Sequence, residues 1–275
     1  MPPRGVEPEA GETLDYLCGH FRIFQYERGH RYSTDDVLTA WYATQWAPRV
    51  DRAADLGSGI GSVALLAAWR LPGARFCTVE AQEMSVRLAR KSIRYNGLEP
   101  RFTVCEGDLR DAAILASEAP FDLVTGSPPY WPPGNAAEAA HPQAIPARIE
   151  IRGTVADYAA AASRILAPGG FFVFVFPHVQ RGRADEALRT NDLVLLRRRD
   201  VVFKEGESPM ISLFAATRAT DLPSGREAWV EPPLVIRRRD GSVHPEYAAV
   251  RISFGFPPGD AGPQRQPYEA LTPPF

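Results

Sequence analysis

The chain has 275 residues, 45% of them hydrophobic, with 31 Lys and Arg against 33 Asp and Glu for a net charge of -2. That length suffices for one large α/β domain or two small ones, and the charge balance provides no global attraction to nucleic acid or membrane. Cys18, Cys77 and Cys105 are widely spaced without a C-x-x-C, and the five histidines show no ligand spacing, so a disulfide framework and a metal site are both excluded as expectations.

Residues 1–14, rich in Pro, Gly and Glu, are expected to be a disordered lead-in, and the Pro- and Gly-rich stretch 256–275 a loose tail, which leaves one folded domain over 15–255. Alternation over 21–26 predicts a short strand or hairpin arm. A turn over 29–32 leads into Ser33-Thr34-Asp35-Asp36, where Thr34 or Ser33 caps a helix over 37–46 with Val37, Leu38, Trp41 and Tyr42 on one apolar face. The stretch Ala53-Ala54-Asp55-Leu56-Gly57-Ser58-Gly59-Ile60-Gly61-Ser62 then reads as strand, glycine turn and helix. Such a turn belongs beside a ligand at the carboxyl edge of a parallel sheet. Ser62 stands where a dinucleotide fingerprint has its third glycine, and no G-K-[ST] follows, so the pattern is D-x-G-x-G-x-G and not a pyrophosphate or phosphate loop.

Strands and helices alternate from there. A strand over 75–79 ends in Glu80, a helix over 84–95 closes on Asn96-Gly97, a strand over 102–105 closes on Gly107-Asp108, and a strand over 121–125 runs into Gly126-Ser127-Pro128-Pro129-Tyr130-Trp131. The alternation predicts an α/β fold built on a doubly wound, mostly parallel sheet with helices on both faces. A carboxylate after the second strand can accept hydrogen bonds from ribose hydroxyls, and one after the third can accept from an adenine amino group. Glu80 and Asp108 occupy those places, although either also reads as a solvated strand-end charge. A proline-broken stretch over 131–151 is too long for an ordinary connection and marks a functional loop. A helix over 154–166, a turn at Pro168-Gly169-Gly170 and a buried strand over 171–176 follow. That strand is the longest apolar run, too short to span a bilayer, and the first residues lack a basic start followed by an apolar core, so a soluble cytoplasmic protein is expected. Residues 184–188, 193–203 and 210–217 read as a helix and two antiparallel strands, and 232–237 with Asp240-Gly241 as an extended arm and turn.

Ser127-Pro128-Pro129-Tyr130 is the sharpest chemical element. An amino group conjugated to a ring or carbonyl is a poor nucleophile, because its lone pair is delocalised. The Ser127 hydroxyl and the Pro128 carbonyl are two acceptors that can hold its hydrogens and aim the nitrogen at a methyl donor, while Tyr130 offers a stacking face.

The D-x-G-x-G-x-G turn resembles the first motif of S-adenosylmethionine-dependent methyltransferases, and [DNS]-P-P-[YFW] after the fourth strand resembles the catalytic motif of those that modify exocyclic amines. Gly29-His30-Arg31-Tyr32-Ser33-Thr34-Asp35, Ala147-Arg148-Ile149-Glu150 and Pro233-Leu234-Val235-Ile236 extend the resemblance, over roughly 21–250, to the tRNA adenine-N6 methyltransferases that act beside the anticodon of a valine tRNA. The resemblance implies a Rossmann-like, seven-stranded class I methyltransferase fold, S-adenosylmethionine as cofactor and tRNA as partner. It further implies Arg31, Thr34, Asp35, Asp55, Gly57, Gly59, Gly61, Glu80, Asp108 and Leu109 at the cofactor, Ser127, Pro128, Pro129 and Tyr130 in catalysis, and Trp131 and Arg148 toward the substrate. Two departures stand out. Ser127 replaces the family's Asn, as in many cytosine exocyclic-amine DNA methyltransferases, whose motifs however run in the opposite order. His244-Pro245-Glu246-Tyr247 replaces a closing Tyr-Thr. The alternative substrates are a protein glutamine side chain or a small-molecule amine or amide, and a non-catalytic binding protein of the same fold is the third reading.

If the substrate is RNA, a near-neutral chain has to concentrate positive charge locally. Arg148, Arg181, Arg183 and the run Arg197-Arg198-Arg199 are the candidates, with Arg-rich helix ends and solvated strand edges as the competing reading.

Overall fold

The computed structural model describes residues 6–45, 49–134, 142–222, 225 and 227–257. An antiparallel hairpin of β1 (Glu12–Cys18) and β2 (Phe21–Tyr26) comes first. The lead-in expected through residue 14 therefore gives way to strand at Glu12. The Glu12 carboxylate is buried and held by Arg87 at 2.8 Å and Lys91 at 2.6 Å. Of the expected tail, only Phe256 and Pro257 fall within the described residues, and Phe256 is buried.

Helix α1 (Thr34–Gln45) is capped by Ser33, whose hydroxyl accepts from the Asp35 N–H at 3.3 Å while its own N–H donates to Asp36 at 2.7 Å. Trp46, expected in this helix, lies outside the described residues. The alternating region follows as β3 (Arg52–Leu56), α2 (Ser62–Arg70), β4 (Arg75–Glu80), α3 (Glu83–Tyr95), β5 (Phe102–Glu106) and β6 (Phe121–Gly126). After it come α4 (Ala144–Arg148), α5 (Val155–Ile165), β7 (Leu166–Pro177), α6 (Arg181–Thr190), β8 (Leu193–Lys204), β9 (Ile211–Arg218), β10 (Trp229–Arg237) and α7 (Pro245–Ser253).

The sheet runs β10-β8-β9-β7-β6-β3-β4-β5, parallel except for β9, which is antiparallel to both β7 and β8. Seven strands form the expected doubly wound sheet, and β10 adds an eighth beside β8. The segment expected as an extended arm is thus a sheet strand. Pro232 and Pro233 have no N–H to give a ladder, and the register shifts between Glu231 and Leu234, which edge position tolerates. Pro168-Gly169-Gly170 lies inside β7 as an irregularity, where the partner register jumps from Phe121↔Leu166 to Leu123↔Phe171.

Apolar side chains of α1, α2, α3 and α7 pack on one face of the sheet, including Trp41, Leu65, Leu88 and Val250. Those of α5 and α6, including Tyr158, Ala162 and Leu188, cover the other. Both faces are therefore buried, and the carboxyl ends of β3, β4, β5 and β6 open onto one common edge. Among the described residues, no helix is long and apolar enough to cross a membrane.

Candidate active site

The β3 turn is made of left-handed glycines, with φ of 58° at Gly57 and 54° at Gly59. A side chain on Gly57 would collide with the Tyr158 hydroxyl of α5, whereas nothing lies within 4 Å of a Cβ on Gly59. The turn is thus closed on its sheet side and open toward a cavity. Gly59 donates its N–H to Glu80 Oε2 at 2.8 Å, and Gln82 N–H donates to Glu80 Oε1 at 2.7 Å. These bonds hold a buried carboxylate at the end of β4, next to the glycine turn.

The cavity, of about 590 Å³, is lined by Arg31, Asp35, Asp55, Gly57, Gly59, Glu80, Asp108, Leu109, Ser127, Pro128, Pro129, Tyr130, Trp131 and Arg148. Two expected residues do not line it. Thr34 opens α1 and gives way to Asp35, while Gly61, with φ of 83°, caps α2 and faces Ala89 of α3 at Cβ contact distance.

Carboxylates dominate the wall. Burial pushes the Asp55 carboxyl up to about 7, against the opposing effect of the Thr125 hydroxyl, which donates to Oδ1 at 2.8 Å. Asp55 Oδ2 and the Ser58 hydroxyl are buried without a hydrogen-bond partner. Burial likewise raises Glu80, partly offset by the N–H donors of Gln82 and Gly59. Asp108 is different, because Arg110 donates to it from Nε at 2.9 Å and from its backbone at 2.9 Å, holding this carboxyl below the usual range. A ligand amine would meet Asp108 in competition with that guanidinium.

At the end of β6 the Tyr130 hydroxyl donates to Asp35 Oδ2 at 2.6 Å, and its ring meets the edge of Phe176 at 6.1 Å. Burial and the Asp35 carboxylate push the phenol pKa well up. The Tyr130 carbonyl accepts from Gln180 Nε2 at 2.8 Å. Trp131, 41% exposed at the mouth, closes the following loop on itself: its N–H donates to the Arg148 carbonyl and its carbonyl accepts from Glu150. Glu150 in turn pairs with Arg183 at 2.6 Å.

The sequence reading missed several lining residues. Gln143 is buried, accepts from His30 N–H at 2.9 Å and donates to Ser85 at 3.1 Å, joining the loop before α4 to both α3 and the approach to α1. Asp36 accepts from Ser62 at 2.8 Å, tying α1 to α2. Tyr158 and Arg152 also line the cavity. A lone Gln or Tyr carries no spacing signal, but Asp36 and Ser62 sit inside motifs already singled out.

The expected polyanion run is corrected. Arg197 is 1% exposed, with its guanidinium 3.8 Å from the Tyr42 ring centroid, donating to the Tyr42 carbonyl at 2.7 Å and to Glu231 at 3.3 Å. Arg199 is buried against Glu246 and the Pro232 carbonyl, and Arg198 pairs with Asp200. Arg197 and Arg199 face inward and bind β8 to α1, β10 and α7, while Arg198 is held within β8 itself.

Residues 36–188 match the methyltransferase small domain family. The chain belongs to that family. The methyltransferase is 33% identical over 186 residues to a tRNA1(Val) (adenine(37)-N6)-methyltransferase of Aeromonas hydrophila, covering 65% of this chain and 71% of that protein. It is 30% identical to the protein of the same name in Salmonella enteritidis, covering 80% of this chain and 86% of the other. A predicted O-methyltransferase from Agrobacterium tumefaciens shares the fold, with a TM-score of 0.61 at 22% identity, over 80% of this chain and 96% of that one. The methyl donor of such an enzyme is S-adenosylmethionine. The cavity suits it: the carboxylates of Asp35, Asp55, Glu80 and Asp108 line one wall, which favours a ligand carrying an ammonium and hydroxyl donors, beside a glycine whose Cβ position is empty.

Proposed function

We propose that the methyltransferase transfers a methyl group to an exocyclic amine, adenine N6 in tRNA. The observation that carries this reading is the position of Ser127-Pro128-Pro129-Tyr130 on the same cavity as Asp55, Gly59 and Glu80. An amine held by the Ser127 hydroxyl and the Pro128 carbonyl would face whatever the glycine turn holds. The tRNA1(Val) (adenine(37)-N6) names of the relatives support the choice of adenine in tRNA.

In this reading Glu80 accepts from the cofactor ribose, Asp108 and Leu109 flank its adenine, and Asp55, Ser58, Arg31 and Asp35 face its amino-acid end. Bound there, S-adenosylmethionine supplies a methyl group made electrophilic by the sulfonium. The chain's own contribution is orientation. Pro128 and Pro129 lack N–H donors, so the substrate amine meets acceptors alone, and the acceptors are fixed before positive charge develops on nitrogen. Trp131 and Arg148 at the mouth offer a stacking face and a cation to a nucleotide.

The test is transfer of labelled methyl from S-adenosylmethionine into total tRNA, total protein and metabolite pools. Label recovered as N6-methyladenosine in the tRNA fraction is the expected result. Label in a protein glutamine or a small amine instead would reassign the substrate, and label in none of them would leave only the non-catalytic reading.

A further inference from the structure

Tyr158 touches both motifs that build the cavity. It stands on α5, 5% exposed, in the same apolar cluster as Leu109. A Cβ on Gly57, in the β3 turn, would run into its hydroxyl, and a Cβ on Gly126, next to Ser127, would lie 2.8 Å from its Cδ1. The ring thus fills the space that two glycines leave, one in each motif, and phenylalanine would fill it equally well. The oxygen needs its own reason. A buried phenol ordinarily finds a hydrogen-bond partner, and leaving it without one costs stability. Among the described residues the Tyr158 hydroxyl makes no hydrogen bond, and Tyr158 is part of the cavity wall.

Its surroundings fix what such a hydroxyl can offer. Burial, together with the carboxylates of Glu80, Asp55, Asp108 and Asp157, pushes the phenol well above its ordinary range, so it stays a donor near neutral pH. An ionised carboxylate only accepts. Adenosine carries donors that suit Glu80 and Asp108, its ribose hydroxyls and exocyclic amine. It also carries acceptors, the ribose ring oxygen and the purine ring nitrogens, and those carboxylates leave them unpaired.

We propose that Tyr158 is a cofactor-binding residue whose hydroxyl donates a hydrogen bond to an acceptor on the adenosine half of S-adenosylmethionine. Glu80 at the end of β4 and Asp108 and Leu109 after β5 line the same cavity, and Leu109 shares its apolar cluster with Tyr158. The inference rests on the reading that sets adenosine between Glu80 and Asp108, and is independent of which amine receives the methyl group. One side chain then has two duties. Its ring keeps the glycine turn and the Ser127 motif at a fixed separation, and its oxygen ties the ligand to both.

Tyr158→Phe separates the two, because it keeps the ring and removes only an oxygen that has no partner in the free protein. The melting temperature of the free variant should not fall. Calorimetry with S-adenosylhomocysteine should show binding weakened by roughly 5-fold, the worth of one hydrogen bond between neutral groups. Competition by 5′-methylthioadenosine, which lacks the amino-acid end, should weaken by the same factor. Wild-type affinity for S-adenosylhomocysteine in Tyr158→Phe overturns the proposal, and so does a lowered melting temperature without a loss of affinity, which would make the hydroxyl structural. A loss for S-adenosylhomocysteine that is absent for 5′-methylthioadenosine overturns its placement on adenosine. Glu80→Ala tests the underlying reading in parallel. If it leaves the affinity for 5′-methylthioadenosine unchanged, the position assigned to adenosine fails and the inference falls with it; if it weakens binding while Tyr158→Phe does not, the role of the Tyr158 hydroxyl falls alone.

Discussion

Glu80 shows how one side chain can be fixed before a ligand arrives. Each of its oxygens accepts one backbone N–H, from Gly59 and Gln82, and each retains a lone pair for a ribose hydroxyl. Losing a charged acceptor of two hydrogen bonds costs about 1.5–3 kcal/mol, so Glu80→Ala should weaken S-adenosylmethionine binding by that amount in calorimetry, and unchanged affinity would remove the assigned role. Asp55 gives a pH dependence whose sign follows from burial. Its carboxyl titrates at about 7 in the folded protein, above the roughly 3.9 of an unfolded Asp, so the folded state binds this proton more tightly. The stabilisation is complete below the unfolded value and is lost as pH rises through the folded one. Urea unfolding of the free protein should therefore show stability falling between about pH 4 and pH 7 through a component that Asp55→Asn abolishes. A cation held in the cavity favours the ionised form of Asp55, so affinity for the cofactor should rise across the same interval in the wild type and not in the variant.

Among the elements, the arginine run of β8 corrects an inference that composition invites. Three consecutive arginines look like a phosphate-binding strip. In a strand, however, alternate residues share a face, and Arg197 and Arg199 both point into the packing between β8, α1, β10 and α7. Removing one member of a buried ion pair leaves its partner uncompensated, at about 3–5 kcal/mol. Arg197→Met should lose that much stability in denaturant titration, because Glu231 keeps the Tyr42 hydroxyl at 2.7 Å but loses its cation. If the substrate is RNA, the same variant should leave the salt dependence of its binding untouched. A similar tie, Glu150 with Arg183, sets where the loop after β6 rejoins the body. Its carboxylate side chain is only 5% exposed. The two could not be read as a pair from the sequence, since they stand 33 positions apart with α5 and β7 between them.

At the scale of the whole molecule, the charge that an RNA would meet lies elsewhere. Lys204 and Arg237 are register partners at the ends of β8 and β10, and both are exposed, as are Arg238 and Arg239. They stand on the same edge of the sheet as the cavity, with β10 four strand spacings from β6, or about 19 Å. If tRNA is the substrate, replacing Arg238 and Arg239 by Glu should lower the slope of log affinity against log salt by roughly 0.7 for each single-strand phosphate that is no longer neutralised. Filter binding over a salt series measures it, and an unchanged slope would place the phosphates nearer Arg148 and Arg152.

The sequence by itself determined the alternating α/β order, the glycine turn, the carboxylates at successive strand ends and the Ser-Pro-Pro-Tyr motif, because each is a local property: a hydrophobic period, a positive φ, a residue next to a strand end. Only the tertiary structure decided which of those residues meet. Asp35 and Tyr130 are 95 positions apart and joined by one hydrogen bond. Gln143 bridges two elements without any motif of its own, β10 pairs with a strand despite two prolines, and Arg197 and Arg199 face inward. Hydrogen bonds and ion pairs act over a few ångströms of space, whatever the separation along the chain, so their partners are fixed by the order in which strands lie side by side.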